Sequence, residues 1–342
     1  MTRDSLERHQ VWWYLTAVLL GLLVGTLLPG LGEWTSALVW PVLALLLYAT
    51  FTQLPLVSIA HAFRDGRFLA AALIGNFVLV PVVVWGLVSL VPDDPALRLG
   101  LLLVLLVPCT DWFITFTQLG RGDAGRATAL TPISLLLQLL LLPVYLWLLA
   151  GVDLGTVFGA AQIWPALLVV LVPLALAWLT DIWARRDGPD GPDEPDEPRS
   201  GRGGPRSERQ RFVERLGWWP VPLLAVVILL VAIAHVGEVR DNVHLLPIVI
   251  GVGVAYLVAA FVIAKALSVA AALPAPAGRT LAFSLGTRNS FIVLPFALSL
   301  PAGWEVAAIV VVMQSLVELF GMIFYLWFVP RVLFRDAAVQ HG

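Results

Sequence analysis

The sequence has few charged residues. Only 13% of its 342 residues are Asp, Glu, Lys or Arg, whereas 59% are hydrophobic. Soluble globular domains are about 25% charged, so this composition excludes an ordinary water-soluble domain. The mean hydropathy of +0.89 predicts an all-α polytopic membrane protein. The net charge of −2 offers no basic surface for nucleic acid.

Lysine and cysteine are nearly absent, and common catalytic motifs are missing. The one lysine, Lys265, follows alanine, which excludes a Walker A motif, and neither G-x-S-x-G nor H-E-x-x-H occurs. The five histidines lack metal-ligand spacing. The stretch GRGDAG shares G-x-G-D with intramembrane aspartyl proteases, but no Tyr-Asp partner motif exists, so Asp123 is predicted to cap a helix. We therefore predict a protein that is not an enzyme and uses no cofactor.

Long apolar runs dominate what is present. Each run is near the length of about 20 residues that spans a bilayer. Arginine is concentrated in alternate loops, which predicts a multi-pass protein of the plasma membrane with both termini cytoplasmic. The ten segments are 11–29, 36–56, 68–91, 96–119, 124–150, 163–183, 216–236, 245–272, 280–300 and 306–329.

The order of the segments predicts two halves. Residues 1–150 hold a first five-helix repeat, and the second comprises the sixth helix at 163–183 and the last four helices within 216–330. Between them, residues 184–215 are rich in Pro, Gly and both charge signs, which predicts a disordered cytoplasmic loop. An odd number of helices per half requires opposite orientations, as in the inverted repeats of secondary transporters.

Two segments are interrupted at corresponding positions, the fourth in each half. Pro108 breaks the fourth segment, and a run of small and polar residues from Gly286 breaks the ninth. Broken helices expose backbone groups that bind ions and polar substrates, so helices 4 and 9 are predicted to cross at a substrate site. The candidate substrate-binding residues are Cys109, Thr110, Asp111, Thr287, Arg288, Asn289 and Ser290.

Three charged residues are costly at membrane depth, by roughly 2.5–3.5 kcal/mol each on insertion scales. Asp111 and Arg288 lie one in each break and are predicted to pair, although Asp111 could instead be hydrated at the extracellular rim. Glu318 is either a proton carrier or part of a structural hydrogen-bond pair. The single cysteine, Cys109, is either a small apolar filler or a ligand for a soft ion or metalloid.

These motifs resemble the bile acid/sodium symporter superfamily, which includes arsenite-efflux permeases. Its bile-acid-type members read C-P-G-G-T-A-S-N and then L-A-R-G-D or -N around the first break, where this chain has Pro108 and the stretch LGRGD. At the second break they read E-x-G-x-Q-N-S, where Gly286, Asn289 and Ser290 match. The resemblance implies ten helices in two inverted repeats with helices 4 and 9 broken and crossing.

The departures from the symporter pattern bear on the coupling ion. Phe113, Ile114, Ser284 and Arg288 replace polar residues that supply sodium ligands in the symporters, so the resemblance implies coupling to protons rather than sodium. Arsenite permeases carry a cysteine at the position of Cys109 and a last-helix glutamate that Glu318 resembles.

The resulting hypothesis is a secondary active transporter that exports arsenite or antimonite in exchange for protons. Cys109 is the candidate metalloid ligand, and Asp111 or Glu318 handles the proton. One alternative is a transporter of a small organic anion, with Arg288 as its counter-charge. A second alternative is a membrane sensor or scaffold without transport activity.

Overall fold

The computed structural model describes residues 10–53, 65–110, 112–150, 160–185 and 208–335. In these ranges the regular structure is entirely helical, and the one strand-like feature is an isolated antiparallel bridge between Pro108 and Arg288. The α-helices are α1 (Gln10–Leu27), α2 (Gly32–Phe51), α3 (Gly66–Ile74), α4 (Val80–Ser89), α5 (Pro95–Leu106), α6 (Trp112–Leu119), α7 (Ala124–Leu149), α8 (Ala160–Arg185), α9 (Glu208–Leu216), α10 (Pro220–Ala234), α11 (Val236–Asp241), α12 (Leu246–Ala270), α13 (Ala275–Gly286), α14 (Ser290–Leu298) and α15 (Glu305–Phe328).

Seven helical stretches of the described residues are long and apolar enough to cross a membrane. They match seven of the ten predicted segments. The first segment forms a shorter apolar helix, Trp12–Leu27, and the fourth and ninth segments are each divided into two short helices, α5 with α6 and α13 with α14. The chain is thus an all-helical, multi-pass membrane protein, and ten crossings in two inverted repeats stay a prediction.

The ends of the predicted cytoplasmic loop are helical. Helix α8 extends to Arg185, and α9 occupies Glu208–Leu216. The amide of Gln53 donates to the Val213 carbonyl of α9 at 3.1 Å, which joins α9 to the end of α2. The rest of the predicted loop, 186–207, lies outside the described residues.

The outward faces of the long helices are strongly apolar. Trp147 is 73% exposed, Leu140 is 70% exposed and Val269 is 68% exposed. Water would penalise this much exposed apolar surface, whereas lipid chains accommodate it. The surface therefore agrees with the composition in assigning these helices to a bilayer.

One group of helices consists of α1, α2, α8 and α10. Helix α10 packs against α1 and α2, and α8 packs against α2. Gly21 and Gly25 let α1 approach α10 closely, because a Cβ at Gly21 would lie 2.8 Å from the Leu229 carbonyl oxygen and one at Gly25 would lie 2.9 Å from that of Ile233. This is the small-xxx-small packing that holds helices together in membranes.

The second group contains both interrupted segments. Helix α15 packs on α5, α12 and α14, while α12 packs on α13 and α4. At Gly100, α5 approaches α15 so closely that a Cβ would lie 2.9 Å from the Ala307 Cα. This packing fixes the position of α5, and hence of the break that follows it, relative to α15.

Candidate functional site

The two helix interruptions lie where the sequence predicts them, and they contact each other. After α5 the chain is extended at Val107, and after α13 it is extended at Thr287. The Asn289 N–H donates to the Val107 carbonyl at 2.8 Å, and the Cys109 N–H donates to the Thr287 carbonyl at 3.2 Å. Each break therefore satisfies backbone groups of the other, which is necessary where no water is available.

Asn289 joins the breaks through its side chain as well. Its amide nitrogen donates to the Thr110 hydroxyl at 3.0 Å, while its amide oxygen accepts the Ile292 N–H at 3.2 Å and so caps α14. Ser290 accepts a hydrogen bond from the Ser315 hydroxyl at 2.8 Å. Thr287 instead donates to the Phe283 carbonyl of its own helix at 2.8 Å.

Cys109 lies at the same crossing of the two helix breaks. It is 3% exposed and directly precedes Thr110, which is 1% exposed. The arrangement places a thiol and several hydroxyl and amide groups around one backbone crossing. Asp111 lies outside the described residues, so its predicted pairing with Arg288 stays a prediction.

Arg288 is buried, with 2% of its surface exposed. Its Nη2 donates to Asn76 Oδ1 at 2.8 Å, to the Ser284 carbonyl at 3.0 Å and to the Leu285 carbonyl at 2.9 Å. Its Nη1 is 3.5 Å from the Leu105 carbonyl. Among the described residues, all hydrogen-bond acceptors of the guanidinium are neutral oxygens, and Nε has no such partner.

Glu318 contacts the second break through the main chain. Its Oε2 accepts the Arg288 backbone N–H at 2.9 Å, and the residue is 1% exposed. A carboxylate that accepts a main-chain N–H can hold the break in place, and it lies beside the group of polar residues predicted to bind substrate. The structure thus brings the predicted proton carrier to the site.

Sequence reasoning missed two polar residues that contact Arg288, and a third buried polar residue on α15. Asn76 lies in a π-helical turn, Gly75–Leu79, between α3 and α4, and such turns are frequent at functional sites. The Arg288 guanidinium carbon lies over the Tyr256 ring, 5.3 Å from the ring centre. Gln314, one helical turn before Glu318 on α15, is fully buried. A polar side chain inside an apolar segment is the pattern that would have found Asn76 and Gln314.

The LGRGD motif lies at a different place, at the start of α7. Asp123 caps α7 by accepting the Arg126 N–H at 3.0 Å, which confirms the predicted cap. Arg126 also bonds the carboxylates of Asp123 and Asp65, the latter with Nε at 2.7 Å. The Asp123 N–H donates to the Thr280 hydroxyl at 2.7 Å, which ties the motif to α13.

The chain is similar to one characterised protein and matches the model of one protein family. The arsenical-resistance protein Acr3 of Corynebacterium glutamicum is 24% identical to it over 194 residues, which are 53% of this chain and 52% of that protein. The chain thus spans about half the length of the curated relative it matches. The model of the sodium bile acid symporter family matches residues 40–242, more than half of the chain, and includes the first helix break. The chain therefore belongs to the sodium bile acid symporter family.

Proposed function

We propose that this chain is a secondary active transporter that exports trivalent arsenite or antimonite in exchange for protons. The observation that carries the proposal is the hydrogen-bonded crossing of the two helix breaks, which gathers Cys109, Thr110, Asn289 and Ser290. Membership of a symporter family supports transport, and the similarity to an arsenical-resistance protein supports this substrate.

Cys109 supplies the soft ligand in this proposal. A thiol prefers a soft metalloid over a hard ion, and the chain contains one cysteine. One S–As bond forms as one As–O bond breaks, and the displaced hydroxide leaves with the thiol proton as water. The remaining hydroxyls of the metalloid then need hydrogen-bond partners, which Thr110, Asn289 and Ser290 offer. Asp111 or Glu318 carries the exchanged proton.

The proposed architecture is ten membrane helices in two inverted repeats, residues 1–150 and 163–330, with a cytoplasmic loop at 184–215 and both termini cytoplasmic. Three observations support it: the breaks occur at matching positions, α1 and α2 group with α8 and α10, and the remaining long helices form the second group. Motion of one group against the other would expose the site to each side of the plasma membrane in turn.

A vesicle assay tests the proposal. Inside-out vesicles that contain the chain should accumulate arsenite when a pH gradient is imposed, and replacing sodium by potassium should change nothing. A metalloid-sensitive host should grow on arsenite and antimonite when it expresses the chain. Vesicles that move no solute would instead favour the sensor or scaffold alternative.

A second candidate substrate is a small organic anion. The observation that favours it is the Arg288 guanidinium, whose hydrogen-bond acceptors among the described residues are all neutral and whose Nε has none. A carboxylate substrate would supply a partner for that nitrogen. Arsenite and organic-anion uptake measured in the same vesicles separates the two candidates.

A further inference from the structure

A cavity of about 290 Å³ lies where the end of α12, the start of α13 and the π-helical turn Val329–Leu333 after α15 meet. Two cationic side chains, Lys265 and Arg335, line it. These helix ends belong to the arginine-rich side of the chain, which the sequence predicts to be cytoplasmic. The second helix break, at Thr287, follows the opposite end of α13, so the cavity is separate from the proposed substrate site.

Lys265 lies on a face of α12 that is otherwise apolar. Val258, Val262 and Val269 are 46%, 54% and 68% exposed, and with Lys265 they are spaced at intervals of three or four residues, which places all four on one side of the helix. A lysine on a lipid-facing surface extends its ammonium to the headgroup layer while its stem stays among apolar groups. The cavity therefore lies where a lipid headgroup can reach it while the acyl chains contact the valines.

The two cations have no carboxylate partner in the part of the chain that the structure describes. Lys265 Nζ donates to the Leu333 carbonyl at 2.9 Å and lies 4.8 Å from the centre of the Phe334 ring. Arg335 Nε donates to the Arg331 carbonyl at 2.9 Å. An ammonium has three N–H groups and a guanidinium has five. Both side chains therefore keep donors for an anion.

Ser268 adds a hydroxyl to the same wall. It lies one helical turn after Lys265 and lines the cavity, and it is 3% exposed. Its hydroxyl has no hydrogen-bond partner among the described residues, and an unpaired buried hydroxyl is unfavourable until a ligand oxygen pairs with it. Ala275 brings the start of α13 to the cavity, where the helix has no side-chain cap. A helix N-terminus favours an anion.

Contacts within the protein hold the walls of the cavity in place. The Phe334 carbonyl accepts hydrogen bonds from Arg279 Nε and Nη2 at 3.0 and 2.7 Å. Its ring packs on Gly278, where a Cβ would lie 2.5 Å from a ring carbon. The Leu273 N–H donates to the Ser268 carbonyl at 2.9 Å and closes the end of α12. The cavity is thus formed before a ligand binds.

We propose that this cavity binds the headgroup phosphate of an anionic phospholipid, with its acyl chains along the valines of α12. Lys265, Arg335 and the Ser268 hydroxyl donate to the phosphate oxygens, and two of these bonds are charge-assisted. Basic pockets between membrane helices on the cytoplasmic side bind such headgroups. A lipid with a net negative charge is preferred, because the ammonium of a zwitterionic headgroup would lie close to two protein cations.

A lipid titration tests the proposal. Phosphatidylglycerol and phosphatidylcholine with the same acyl chains are added to the purified full chain in detergent at equal concentration and ionic strength. Phosphatidylglycerol should raise the thermal unfolding midpoint by about 3 °C more than phosphatidylcholine does, when it is about tenfold above its dissociation constant. Glycerol 3-phosphate, which has the phosphate but no acyl chains, should leave the midpoint unchanged at the same concentration.

Three variants identify the residues. The double variant Lys265→Gln, Arg335→Gln should lose the difference between the two lipids. The matched double variant Arg67→Gln, Arg331→Gln should keep it, because it removes two exposed arginines near the same helix ends, neither of which lines the cavity. Ser268→Ala should raise the dissociation constant for phosphatidylglycerol about tenfold. It should not lower the midpoint without lipid, since its hydroxyl has no partner among the described residues.

Three results would overturn the proposal: a wild-type chain that both lipids stabilise equally, a loss of the lipid difference in the matched variant, or equal stabilisation by glycerol 3-phosphate. If the double variant of Lys265 and Arg335 does not fold, Ser268→Ala decides the location, and an unchanged dissociation constant overturns it. These measurements use no arsenite, so their failure is distinguishable from a failure of metalloid transport.

Discussion

Replacing Asn289 by alanine should weaken the helix crossing in two ways. The variant loses the side-chain cap of α14, which is worth about 0.5–2 kcal/mol. It also leaves the buried Thr110 hydroxyl without its 3.0 Å donor, at a cost of about 1–3 kcal/mol. Together these losses predict a destabilisation of about 1.5–5 kcal/mol and a loss of transport, because the crossing positions the proposed ligands.

The matched control is Asp94→Ala. Asp94 caps α5 by accepting the N–H groups of Ala96 and Leu97 at 2.9 and 3.0 Å, but it lies at the other end of that helix from the break. Its loss should cost only the value of a cap, about 0.5–2 kcal/mol, and transport should continue.

The assay is thermal unfolding of purified protein in detergent at one scan rate, with transport measured in vesicles. A double-mutant cycle with Thr110→Val isolates the bond between the two side chains, and a coupling energy of about 1 kcal/mol is expected. If Asn289→Ala is no more destabilising than Asp94→Ala, and its effects simply add to those of Thr110→Val, the bond across the breaks contributes nothing and the reasoning is refuted.

Three further predictions concern the Cys109 thiol, the contact between α1 and α10, and the ion pair of Asp65 with Arg126. Cys109→Ser and Cys109→Ala should both abolish arsenite resistance at unchanged expression, because oxygen replaces a soft thiolate poorly; a fully active alanine variant would eliminate Cys109 as a ligand. Gly25→Leu should cost about 1–3 kcal/mol by overpacking, whereas Gly251→Leu, where a Cβ meets nothing within 4 Å, should be nearly neutral in the same unfolding assay. Burial raises the pKa of Asp65, but the Phe68 N–H and Arg126 outweigh burial and hold the pKa below its ordinary value of 3.8. The ionised Asp65 carboxylate therefore stabilises the fold fully above that pH, and this stabilisation is lost as the pH falls through the lower folded-state pKa. Asp65→Asn should remove this part of the acid sensitivity of unfolding, and an unchanged acid sensitivity would contradict the prediction.

Local chain chemistry made the helix breaks predictable. Pro108 lacks an N–H and blocks helix continuation, and the polar run after Gly286 is too costly for a lipid-facing helix. Such effects act between neighbours in the sequence. The same holds for the cap at Asp123, which depends on a residue only three positions away.

The partners of the buried charges could not be predicted in this way. The sequence suggested Asp111 as the partner of Arg288, because these charges lie in matching breaks. Asp111 lies outside the described residues, so that pairing stays a prediction. The described acceptors of the Arg288 guanidinium come from α5, α13 and the π-helical turn at Asn76, residues separated by as many as 212 positions from Arg288.

Hydropathy and helix-breaking residues act locally, and lipid permits few alternatives to helices. The amino-acid sequence is therefore enough to predict a multi-pass helical membrane protein with two interrupted helices. The folded structure is needed to see that the breaks pair through Val107 and Asn289 and that Glu318 accepts the Arg288 main-chain N–H. It is also needed to see that the described acceptors of the Arg288 guanidinium are neutral oxygens. These contacts depend on how α5, α13 and α15 pack against one another. Helix packing is set by side-chain shape across distant segments, which no periodicity along the chain encodes.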